Sequence, residues 1–127
     1  MDQFEMFGGM PTKDTTLPAV GTTCARCLWQ MLNRGWCDNH RLATNDIANA
    51  SRRMMDLRDH YGWPVVTRKK PSQRRDGVVV WISEYRADPE WLNELAGSDP
   101  AFKERLLLWS QAQNDFEMRR KAGGAAA

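Results

Sequence analysis

The residues best equipped for chemistry are Cys24, Cys27, Cys37 and His40. Their order spells Cys-x2-Cys, nine residues, Cys-x2-His. These are the ligand types of a structural zinc site. The nine-residue interval is short for a finger, however. Cys24 and Cys27 also share the apolar face of an expected helix, where cysteine behaves as a small hydrophobe. Zinc and core cysteines therefore both stay open. Three cysteines give no disulfide framework in a cytoplasmic chain. Acid–base chemistry has less support. Asp56 and Asp59 are three residues apart, but they lie among Arg52, Arg53 and Arg58, so solvated ion pairs explain them better. The chain has two histidines, no phosphate loop and no nucleophile motif. It reads as a non-enzyme without a cofactor.

Basic residues offer a different chemistry, that of phosphate contact. The net charge is only +2. It is a cancellation between three segments. Residues 22–87 hold twelve Lys/Arg against six Asp/Glu, a net of +6. Residues 1–21 and 88–127 each carry −2. The densest cluster is Arg68, Lys69, Lys70, Arg74 and Arg75, in a stretch that also holds Pro71, Ser72 and Gln73. It reads as a phosphate-contacting loop or as a solvated basic loop.

The elements that must position these residues follow from periodicity. Residues 1–23 show no period and read as a flexible arm, with 1–21 as its bounds. Cys24, Cys27, Leu28, Met31 and Leu32 mark one helical face, stopped by Gly35. A short helix follows, capped by Asp38. Ile47, Ala50, Met54, Leu57 and Tyr61 step by 3, 4, 3 and 4, so they form one stripe that Gly62 ends. Trp63 to Arg68 and Val78 to Ile82 are β-prone and flank the basic loop, with Asp76-Gly77 as a turn. Trp63 and Trp81 are expected to face the helices. Asp88-Pro89 and Asp99-Pro100 each start a helix with a capping carboxylate before proline.

Helix, short helix, helix and hairpin in that order predict a mainly α fold with a small β-hairpin. The expected architecture is a winged helix-turn-helix at 22–87, followed by two C-terminal helices at 88–127. Arg53-Met54-Met55-Asp56-Leu57-Arg58 followed by Tyr61-Gly62-Trp63-Pro64-Val65-Val66-Thr67-Arg68 resembles small winged-helix proteins common in phages and prophages. The resemblance spans about half the chain. Arg52 replaces a common alanine, and one residue is added in Asp59-His60-Tyr61. It implies a phage-encoded protein that binds duplex DNA, with Asn49, Arg52 and Arg53 at the start of a recognition helix. Arginine there could read guanine, or could pair with Asp56 or Asp59 instead.

Gln3-Phe4-Glu5-Met6-Phe7 resembles the peptide by which many proteins dock on the bacterial sliding clamp. That resemblance implies that Met6 and Phe7 fill an apolar pocket while Gln3 bonds at its rim. An apolar N-terminus could equally pack on its own domain. At the other end, Phe102, Leu106, Trp109 and Phe116 form an apolar stripe. Left exposed, it would serve a homodimer or a host protein. Folded back, it would complete the core. The functions expected are DNA binding in replication or transcription control, or an adaptor or inhibitor role in host takeover. No stretch is long and apolar enough for a membrane span, and no signal peptide is evident, so a cytoplasmic protein without a membrane partner is expected.

Overall fold

The computed structural model describes residues 4–126. Its elements are β1 (Glu5–Met6), α1 (Thr23–Arg34), β2 (Cys37–Asp38), α2 (Asn39–Thr44) and α3 (Ala50–Tyr61). Then come β3 (Val65–Gln73), β4 (Val79–Ala87), α4 (Pro89–Ser98) and α5 (Pro100–Ala126). The expected mainly α class with a small hairpin needs correction. The chain is α+β, with 53% helix, 18% strand and a four-stranded antiparallel sheet in the order β1-β3-β4-β2. Two causes account for the difference. The basic run does not loop out, because Arg68 to Gln73 continue β3 in register with Val79 to Glu84. Two dipeptides then add edges: Glu5 and Met6 pair with Thr67 and Val66, and Cys37 and Asp38 pair with Tyr85 and Glu84. Strands of two residues leave no readable period.

The helices form where their signals lie. Thr22 caps α1 by accepting the Ala25 N–H, and Asp38 caps α2 by accepting that of Arg41 at 2.7 Å. Asp88 and Asp99 accept N–H groups of Glu90 and Phe102, each with proline at the next position. Each cap satisfies a donor that would otherwise lack a partner. The α3 stripe is buried at Ala50, Met54 and Leu57, against Leu28 and Met31 of α1. Trp63, fully buried, meets Trp91 edge-on at 5.3 Å and Phe102 at 6.2 Å, so α4 and α5 close over the base of the ribbon. Phe102 and Trp109 are buried, while Leu106 and Phe116 are half-buried. The stripe on α5 is therefore spent on the chain's own core rather than offered to a partner.

The segment read as a flexible arm docks on the fold at points: Phe4, Met6, Phe7 and Leu17 are half-buried and Pro18 is buried, while Gly8 to Met10 and Thr12 to Asp14 are exposed. Two indoles hold it. Trp63 donates to the Thr16 carbonyl and Trp109 to the Pro18 carbonyl, both at 2.7 Å. Gly62 explains how closely the segment approaches. Its φ is +68°, and a Cβ there would lie 2.6 Å from the Lys13 and Asp14 carbonyl oxygens.

A polar network locks α5 to α1. Arg26 donates to Glu117 at 3.1 Å and to the Asn45 carbonyl at 2.5 Å. Gln113, beside Glu117, accepts the Gly21 N–H at 2.9 Å. Arg26 and Glu117 are both buried. Removing one partner strands the other charge, so Glu117→Ala is expected to cost about 3–5 kcal/mol. Arg26→Met combined with Glu117→Leu should cost much less. Urea unfolding of the single and double variants decides it, and a double variant as unstable as the single one would speak against the ion pair. Gly62→Ala is expected to cost about 1–3 kcal/mol, from the left-handed φ and the carbonyl contact. An unchanged urea midpoint would contradict that close approach.

Candidate nucleic-acid interface

Strand alternation divides the basic run between two faces of the ribbon. Arg68 and Lys70 lie on the face away from α3. Arg68 donates to Glu84 at 2.9 Å and stacks its guanidinium over Trp36, 4.2 Å from the ring centroid. Lys70 bridges Asp38 at 2.8 Å and Glu84 at 3.3 Å. These two cations are largely neutralised within the fold. Phe4 meets Trp36 edge-on at 5.5 Å on the same face.

Lys69 points to the other face, where its ammonium donates to the uncharged Ser83 hydroxyl at 2.7 Å. Arg74 and Arg75 lie in the tip, which turns through Gly77 at φ +86°. Arg74 pairs with Asp76 at 2.5 Å, but both are exposed, so water screens the pair. Arg75 is exposed and makes no ion pair among the described residues. Trp81 was expected against the helices, yet it is 66% exposed on this face. Its strand position, not its apolar character, decides its orientation.

The start of α3 adjoins that same face. Ser51 lies within 3.1 Å of the Tyr85 hydroxyl, and Tyr85 shares a face with Ser83 and Trp81. Asn49 is the N-cap of α3 in the left-handed region (φ 55°, ψ 55°), and its side chain makes no capping bond. Asparagine tolerates this conformation better than most residues. The amide is thus left to the solvent at the helix start. Arg52 is exposed and reaches Asp56 at 3.4 Å, a pair worth little at a surface. Arg53 does not share its position. It is partly buried, pairs with Asp56 at 3.7 Å and keeps a buried Nε without a hydrogen bond. It lines a cleft of about 460 Å3 with Arg52, Thr23, Cys24 and His60, beside the start of α1. Of the three expected helix residues, Asn49 and Arg52 are exposed and Arg53 is partly buried, and the two arginines share Asp56 and border the same cleft.

The clamp-like residues are engaged within the fold. Gln3 lies outside the described residues. Glu5 and Met6 form β1, and Phe7 meets Tyr85 edge-on at 5.5 Å while its N–H donates to Val65. Cys24, Cys27 and Cys37 are buried, and His40 is exposed on α2. The described residues contain no group of three or more His, Cys, Asp or Glu placed to hold a metal. Burial pushes all three thiols up, Cys27 most of all, which disfavours the thiolate that a metal needs. No described helix is long and apolar enough to cross a membrane.

Sequence reasoning missed the Arg26, Gln113 and Glu117 network. A signal was present. Trp109, Gln113 and Glu117 step by four, so polar residues continue an apolar stripe, which marks buried polar groups.

Comparison with protein-family models, with curated proteins and with solved structures finds no match.

The neutralised face has a pH signature. Burial pushes the Asp38 carboxyl up. Lys70 and the Arg41 N–H outweigh it and hold the group below its ordinary range. Its folded value thus lies below its unfolded one. The stability it contributes is present above about pH 4 and is lost as pH falls through the folded value. Urea midpoints measured from pH 6 to pH 2 should fall in acid, and Asp38→Asn should flatten that limb. An acid limb equally steep in Asp38→Asn would remove Asp38 from the account.

Proposed function

We propose that this chain is a non-enzymatic protein that binds duplex DNA in the cytoplasm. The start of α3 and the outer half of the β3–β4 ribbon would form the contact surface. One observation carries the reading. Lys69 and Arg75, which make no ion pair among the described residues, and Arg74, paired only at the surface, lie on one side of the ribbon and at its tip, and the first turn of α3 joins that side where Ser51 meets Tyr85. Arg68 and Lys70, by contrast, serve the sheet.

The dimensions support a division of labour. A helix fits the major groove, which is about 12 Å wide. At about 3.3 Å per residue, Lys69 and the end of β3 at Gln73, just before Arg74 and Arg75, are roughly 13 Å apart along the ribbon, comparable with a groove width. Asn49 has the donors and acceptors to read base edges, whereas Arg52 and the ribbon cations suit phosphates. The weak surface pairs of Arg52 and Arg74 cost little to exchange for a phosphate.

About four phosphate contacts, from Arg52, Lys69, Arg74 and Arg75, predict a slope near −3.6 in log affinity against log salt. Affinity for a 20-base-pair duplex should then fall roughly 100-fold between ~50 and ~200 mM salt. Arg74→Ala with Arg75→Ala should reduce the slope by about 2. Fluorescence anisotropy measures both. Absence of duplex binding at ~50 mM salt would rule the reading out.

A further inference from the structure

The ribbon outgrows the rest of its sheet. β1 pairs only with Val66 and Thr67, and β2 only with Glu84 and Tyr85. From Lys69 and Ser83 outward, β3 and β4 run as a two-stranded finger. Trp81 lies midway along it, opposite Pro71, which is also exposed. Among the described residues every other tryptophan is buried or half-buried.

We infer that Trp81 is a base-stacking residue, and that the finger therefore prefers a duplex carrying an unpaired base to a fully paired one. The inference rests on the DNA-binding reading above and deepens it. Exposing an indole to water forgoes the burial free energy the other tryptophans gain, so a ligand with an apolar face is its natural partner. The surroundings select which ligand. On Trp81's face of the ribbon, Lys69 lies on the side toward α3, and Arg74 and Arg75 lie at the tip. Thr67, Pro71, Gln73, Val79 and Ser83 give the ribbon no carboxylate on this face, and the one acid on it among the paired strand residues, Glu5 of β1, sits at the sheet base opposite Thr67, away from Trp81 and the tip. The acids of the ribbon base, Asp38 and Glu84, belong to the opposite face. An aromatic platform between cations matches a polyanion whose units have π faces, and an aromatic–base stack is sequence-tolerant for that reason. A stacked duplex offers few free base faces, whereas an unpaired nucleotide can leave the stack. Pro71 also withholds a backbone N–H on the open edge of β3, which disfavours strand addition by a second copy.

The test compares three 20-base-pair probes by anisotropy at ~50 mM salt. One is fully paired, one carries a central single-nucleotide bulge, and one carries the same bulge with an abasic site. Wild type should bind the base-containing bulge about 5-fold to about 150-fold more tightly than either other probe. Trp81→Ala should lose that preference and keep its paired-duplex affinity within about twofold. Trp81→Phe should retain part of the preference. The abasic probe tests the stack on the wild-type protein, independently of how the variants fold. Equal binding of the three probes by wild type would overturn the stacking role and leave duplex binding intact. Equal preference for both bulges would do the same, because flexibility would then explain it. Failure to bind any probe would overturn both readings. Self-association that Trp81→Ala abolishes would assign the face to a second copy and overturn the stack.

Discussion

The guanidinium of Arg26 is the point at which the separate parts of this chain are joined. It is buried on α1, donates to Glu117 of α5, and also donates to the Asn45 and Asp46 carbonyls in the turn before α3. Burying such a charge is costly, and only dense pairing offsets it. The pairing here is shared. Glu117 also accepts from Gln113, and Arg120 reaches both Glu117 and Asp46. The backbone gains from the same contacts, because Asp46 and Asn49 both hold left-handed dihedrals in that turn. A turn with two such residues needs outside support, and Arg26 and Arg120 supply it. The entry angle of α3, and with it the direction of Asn49 and Arg52, is thus set by a helix that ends the chain.

The ribbon obeys a simpler constraint. A strand sends successive side chains to opposite faces. The run Arg68-Lys69-Lys70 therefore cannot act as one patch. Its outer members meet Glu84 and Asp38, while Lys69 is left facing the side that holds α3's first turn. The two faces consequently differ in purpose. One is an ion-paired and aromatic surface that stiffens the sheet through Trp36 and Phe4. The other keeps charge and an indole in water. A loop at the same place could have presented all five cations at once, at the cost of less defined geometry.

That contrast shows what the amino-acid order makes legible. The stripe ending at Tyr61, the capping aspartates and the turn at Gly77 are local signals, and the elements they announce are present. The zinc-like spacing dissolves for a local reason as well, since Cys24 and Cys27 share the inward face of α1. The sheet was harder to read. Glu5–Met6 and Cys37–Asp38 become strands only because β3 and β4 offer edges to them, which is information from distant parts of the chain. The same holds for residues 13–20. Thr and Pro there have no period, yet their carbonyls find the indole donors of Trp63 and Trp109 across the fold. The candidate site was legible as a charge count, but the exposure of Arg52 and the partial burial of Arg53 needed the helix to be docked.

Tyr85 ties these levels together. It pairs with Cys37 in β2 and with Thr67 in β3, meets Phe7 edge-on, and lies within hydrogen-bond distance of Ser51 at the start of α3. Phe7 belongs to the segment that resembles a clamp-docking peptide. A partner taking that segment would have to replace the β1 pairing and an aromatic contact worth about 0.5–1.5 kcal/mol. It would also uncover the ring on which the first turn of α3 rests. The amino-terminal strand is therefore part of what holds α3 against the ribbon, and the contact that such a partner would have to displace also supports the first turn of α3, which bears Asn49 and Arg52.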